Sequence, residues 1–124
     1  MNARHKCLLC LGSNIGGIHH LKNAEQMLDR LFGPVQWGAI IETEPWGTSL
    51  SKPFLNRAAY LYTSLSSEEL IKHFKQIECR NGRTSESKTC GIVPLDIDLL
   101  TYDDCILKPE DLEKEYVKKA LSAL

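Results

Sequence analysis

The chain has 124 residues, 43% of them hydrophobic and 25% charged, and its 15 basic and 16 acidic side chains leave a formal charge of −1. That make-up predicts a single globular domain over 1–124, large enough to bury roughly two-thirds of its unfolded surface. It excludes two partner classes: no apolar run approaches the about 20 residues that cross a bilayer, and no basic stripe interleaved with aromatics invites nucleic acid. The apolar run Cys7 to Leu11 is too short for the core of a signal peptide. Five cysteines without framework spacing fit reduced thiols, so a cytoplasmic location is expected.

Residues 6–11 are apolar on both faces, as in a strand covered on both sides. The small-residue turn Gly12 to Gly17 lacks a P-loop pattern. Apolar residues then recur at Ile18, Leu21, Ala24, Leu28, Leu31 and Phe32, a helical period that Gly33-Pro34 stops. His19 and His20, in its first turn, are expected to be exposed. Strand two is expected over 35–43, with Val35, Trp37, Ala39 and Ile41 on one face, and it runs into a long loop carrying Trp46. Strand three follows over 54–65, with Phe54, Asn56, Ala58, Tyr60 and Tyr62 opposite Leu55, Ala59, Leu61 and Leu65.

Ser66 and Glu69 form a capping box ahead of a second helix whose buried stripe is Leu70, Phe74 and Ile77, ending at Asn81-Gly82. A polar loop leads to Pro94 and a fourth strand over 94–102. A short edge strand at 105–107 and a terminal helix from Pro109 to Leu124 complete the chain. The order βαββαβ with right-handed crossovers predicts an α+β, ferredoxin-like antiparallel sheet, strands one and four central, both helices on one face, plus a C-terminal helix.

Within the fourth strand, Leu95, Ile97 and Leu99 face one way while Asp96, Asp98 and Leu100 face the other. Two carboxylates about 7 Å apart along the backbone can share one or two hard cations and repel each other without one. Mg²⁺ bridging to phosphate oxygens is the natural neutraliser. The bland alternative is a solvated acidic face.

Taken together, the motifs resemble those of the 6-hydroxymethyl-dihydropterin pyrophosphokinases of folate biosynthesis. Leu11-Gly12-Ser13-Asn14, Thr43-Glu44-Pro45-Trp46-Gly47, Phe54-Leu55-Asn56-Arg57-Ala58, Ile77-Glu78 with Gly82-Arg83, and Leu95-Asp96-Ile97-Asp98-Leu99-Leu100 occur in the family's order. The resemblance implies transfer of pyrophosphate from ATP to the hydroxymethyl oxygen of the pterin, with AMP released and two Mg²⁺ ions held by Asp96 and Asp98. It implies catalytic roles for Arg83, Asp96 and Asp98. Thr43, Pro45, Trp46, Phe54 and Asn56 are implied to bind the pterin, and Glu78, Arg83, Lys88 and Ile97 the nucleotide.

Three segments depart from the family pattern: Val93 replaces an arginine, Cys90 a tryptophan, and Glu110 to Glu115 stand where V-P-H-P and a second stacking aromatic are expected. The alternative reading is a catalytically lapsed ferredoxin-like module, binding a pterin or nucleotide as a sensor or partner. In either case the expected ligands are ATP and a pterin-like small molecule, and the oligomeric state is open.

Overall fold

A computed structural model describes residues 4–16, 18–43, 53–84, 92–122 and 124. Strand β1 (His5–Ser13) lies at the centre, between β3 (Phe54–Thr63) and β4 (Asp96–Tyr102), antiparallel to both. The full order is β2-β3-β1-β4-β5, with β2 (Gln36–Thr43) on one edge and the two-residue β5 (Cys105–Ile106) on the other. The ferredoxin-like order is therefore present, with one correction. Strand β3, and not β4, shares the centre of the four long strands with β1, and β4 is interior only because β5 covers it.

Alternation along β1 explains why it must be central. Cys7, Leu9 and Leu11 enter one core with Leu21, Ala24 and Leu28 of α1 (His19–Phe32) and Leu70, Phe74 and Ile77 of α2 (Ser67–Arg80). Leu8 and Cys10 enter a second core on the opposite face, with Leu100 and Val117. Cys7 and Cys10 thus face apart, and burial pushes their thiols up to about 11 and about 12.

The second core is closed by the end of the chain. Where the sequence predicts a single terminal helix, a short α3 (Pro109–Leu112) is separated by Glu113 and Lys114 from α4 (Glu115–Ser122). Helix α4 crosses β2 and β3. The approach is so close that a Cβ on Gly38 would stand 2.5 Å from the Ala120 carbonyl oxygen. The sheet face opposite α1 and α2 is open only where α4 does not reach.

Two apolar patterns depart from the simple periods of the sequence. In β2 the pairing slips by one residue between Trp37 and Ile40, so these two pack on the first core while Ala39 is exposed. A bulge of this kind breaks the period of two. On α1, Ile18 and Leu31 lie at the ends of the stripe and stay exposed, whereas Glu25 is buried with Arg57 at 2.8 Å. His20 is half-buried, its Nδ1 3.0 Å from Asn81 Oδ1.

Candidate active site

The start of β4 carries the site. Leu95, Ile97 and Leu99 are buried towards the helices, which turns Asp96 and Asp98 to the other face, as the alternation requires. Glu78, in the last turn of α2, fixes the strand's height: its Oε2 accepts the Ile97 backbone N–H at 2.8 Å. Gly82, at φ 91°, then turns the chain back so that Arg83 lies beside the acids. Its Nη1 is 2.6 Å from Asp96 Oδ1, 3.1 Å from Glu78 Oε2 and 3.2 Å from the Leu95 carbonyl.

Asp98 has its own cation, the Lys108 ammonium at 2.9 Å. Burial, and next the charge of Asp96, hold the Asp98 carboxyl above the ordinary aspartate value, with Lys108 opposing them. The pair is a centre of concentrated negative charge restrained by two basic side chains.

Two cavities meet at this pair. The first, about 190 Å³, is lined by Gly12, Thr43, Phe54, Asn56 and both aspartates, with Tyr116 and Val117 of α4 on its far side. The second, about 700 Å³, lies towards α2 and is lined by Lys75, Glu78, Arg83, Val93, Ile97 and Lys108. Phe54, Asp96 and Asp98 belong to both.

In the first cavity, Asn56 is buried and donates through Nδ2 to the Ile41 carbonyl at 3.2 Å and to Thr43 Oγ1 at 3.0 Å. Its Oδ1 lies towards Gly12, where a Cβ would come within 3.3 Å of it. Thr43 therefore holds the amide in place, and the amide presents an acceptor to the cavity. Ile97 contributes its backbone and a buried side chain to the floor of the second cavity. Pro45, Trp46, Lys88 and Cys90 lie outside the described residues.

Other residues of the site left no periodic trace in the sequence. Asn14 clamps the segment ahead of β4: its Oδ1 accepts the Val93 N–H at 2.6 Å, and its own N–H donates to the Val93 carbonyl at 3.0 Å. The signal available was Asn at the end of a strand, which reads equally as turn chemistry. Tyr116 was detectable only as part of the apolar pattern Leu112, Tyr116, Val117 and Ala120. Lys108 had no signal beyond its charge.

The sequence profile of the 7,8-dihydro-6-hydroxymethylpterin-pyrophosphokinase family matches residues 8–124. The chain belongs to this family. Among its relatives, the 2-amino-4-hydroxy-6-hydroxymethyldihydropteridine pyrophosphokinase of Porphyromonas gingivalis is 35% identical over 99 residues, covering 76% of this chain and 67% of the relative. The protein of the same name from Aquifex aeolicus is 31% identical over 106 residues, 85% of this chain and 66% of its own length. The folate synthesis bifunctional protein of Arabidopsis thaliana is 33% identical over 97 residues, 77% of this chain and 20% of that protein. The chain thus spans about two thirds of the bacterial relatives. Family membership upholds the reading as an ATP-dependent pyrophosphokinase of folate synthesis over that of a lapsed binding module. Among the described residues, no helix is long and apolar enough to cross a membrane.

Proposed function

We propose that this chain transfers pyrophosphate from ATP to the hydroxymethyl oxygen of 6-hydroxymethyl-dihydropterin. The hydroxyl oxygen bonds to the β-phosphorus, the bond from that phosphorus to the oxygen bridging it to the α-phosphorus breaks, AMP leaves and the hydroxyl proton passes to water. The observation that carries this reading is that Asp96, Asp98 and Phe54 line both cavities. An acceptor on one side and a nucleotide on the other would meet at the acids, and positioning is most of what phosphoryl transfer requires.

The flat pterin suits the first cavity, with Phe54 and Tyr116 as aromatic surface and the Asn56 Oδ1 accepting from a ring N–H. Thr43 orients that amide, and Pro45 and Trp46 are assigned to the adjoining loop by the family pattern alone. The nucleotide suits the second cavity, whose 700 Å³ lies within the usual range for small-molecule sites. There Ile97 supplies apolar floor, Arg83 a cation for the phosphates, and Glu78 the anchor that holds both; Lys88 is assigned from the pattern.

The donor set fits Mg²⁺. Asp96 and Asp98 are hard oxygen ligands on one strand face, where the charge of Asp96 works against the ionised form of Asp98, an arrangement a divalent cation relieves. Among the described residues no third acidic, histidine or cysteine ligand joins them, so phosphate oxygens and water would complete the coordination of two ions. Mg²⁺ held there would neutralise phosphate charge and polarise the reacting phosphoryl group. Arg83, fixed by three oxygen partners, adds a directed positive charge beside it.

A coupled assay for AMP tests this directly. AMP should form only when ATP, the hydroxymethyl-dihydropterin and Mg²⁺ are all present, and Asp96→Ala or Asp98→Ala should abolish it. Binding of both ligands with no AMP formed would instead establish the noncatalytic module.

A further inference from the structure

Lys108 is built differently from the other cation at the acid pair. Arg83 is locked by Glu78, the Leu95 carbonyl and Asp96, and its side chain is only 25% exposed. The Lys108 side chain is 46% exposed, and Asp98 is its one side-chain partner among the described residues. Its backbone, by contrast, is fastened: its N–H donates to the Leu100 carbonyl at 3.3 Å, and its own carbonyl accepts the Asp111 N–H at 3.2 Å and the Leu112 N–H at 3.4 Å. A four-carbon stem ending in three rotatable donors therefore pivots from a fixed root. It does so at the mouth of the nucleotide cavity, whose wall at Val93 carries no charge.

We propose that Lys108 is an exchange cation, a positioning and phosphate-binding residue with two successive partners. In the free protein its ammonium occupies Asp98 Oδ1, the donor atom needed for a divalent ion. When Mg²⁺ arrives with ATP, Lys108 gives up the carboxylate and swings within the same cavity onto the phosphates. Lys108 then disfavours metal alone and favours metal with nucleotide, so the acid pair stays charge-compensated throughout. This coupling rests on the pyrophosphokinase reading of the site, whose nucleotide and metal it presupposes.

The signature is a pair of affinity changes of opposite sign. Lys108→Met keeps the stem and removes the charge. Calorimetry should show it binding Mg²⁺ alone several-fold more tightly than wild type, and a nonhydrolysable ATP analogue with Mg²⁺ roughly tenfold more weakly, the effect of one lost charge-assisted contact. Lys108→Arg should restore both values towards wild type, because the charge returns, and thermal melting of all three proteins confirms that they are folded. Both affinities unchanged in Lys108→Met, or both moving in the same direction, would overturn the exchange. If wild type releases AMP while Lys108→Met moves neither affinity, the exchange alone fails. A wild type that binds no nucleotide at all removes the reading beneath it.

Discussion

At Asn56 the chemistry of the acceptor site comes down to which end of one amide is spent. Both donated bonds go to Ile41 and Thr43, so the buried side chain meets a ligand through Oδ1. Asn56→Ala is expected to weaken pterin binding by roughly tenfold, as loss of one buried hydrogen bond does, and fluorescence titration measures it. Unchanged affinity would mean that the ring is held by stacking alone. Phe54, Asn56, Asp96 and Asp98 were legible in the sequence because a strand's period of two dictates which side chains share a face. Lys108 and Asn14 were not, since their partners Asp98 and Val93 lie 10 and 79 residues away in contacts that no period encodes. Arg57 belongs with them: it donates to the buried Glu25 Oε1 at 2.8 Å, while Glu25 Oε2 has no hydrogen-bond partner among the described residues. Arg57→Met should cost about 1–3 kcal/mol in chemical denaturation, less than stranding a buried charge outright, because Lys22 stays 3.6 Å from Glu25 Oε1.

Elements differ in how far their sequence specifies them. Helix α2 begins where its capping box predicts, with Ser66 Oγ accepting the Glu69 N–H at 3.2 Å and Glu69 Oε1 accepting the Ser66 N–H at 3.2 Å. Ser66→Ala should lower stability by about 1 kcal/mol, seen as an earlier urea midpoint. Helix α4 is a different case. Its apolar stripe shows that it must be buried but not on which face of the sheet, and that choice decides whether the acids open onto solvent or into a cavity. The face is marked by Gly38, where only a missing Cβ lets the Ala120 carbonyl approach. Gly38→Ala should cost roughly 1–3 kcal/mol by overpacking. Because Tyr116 and Val117 ride on the displaced helix, it should also weaken pterin binding, whereas Ser66→Ala should leave that binding intact. Equal effects of the two on the ligand would detach α4 from the first cavity.

Two aspartates act in opposite senses on the whole molecule's response to pH. Asp103, at φ 53° in the turn between β4 and β5, lies 2.6 Å from His5 Nδ1 and accepts the Lys6 N–H at 2.9 Å; these contacts, His5 first, hold its carboxyl below the ordinary range. A carboxyl that binds its proton less readily when folded adds stability that is complete above the ordinary value of about 3.9 and is lost as pH falls through the lower, folded one. Asp98 runs the other way. Burial and Asp96 hold its carboxyl up, so the protonated form suits the fold, and that advantage is lost as pH rises through the raised value. Ionising Asp98 therefore costs the fold stability, which is the expected mark of a group kept for a ligand rather than for the fold. Asp98→Asn should accordingly melt at a higher temperature than wild type at neutral pH, with the gain shrinking as pH falls through the raised value and gone below the ordinary one. Asp103→Asn, whose new residue tolerates a positive φ, should instead melt lower at neutral pH and converge on wild type in acid. Melting curves of the three proteins between about pH 3 and about pH 8 separate these outcomes, since that interval brackets the ordinary aspartate value. An Asp98→Asn protein less stable than wild type at neutral pH would show that the Lys108 ion pair outweighs burial, and that the acid pair serves the fold before any ligand.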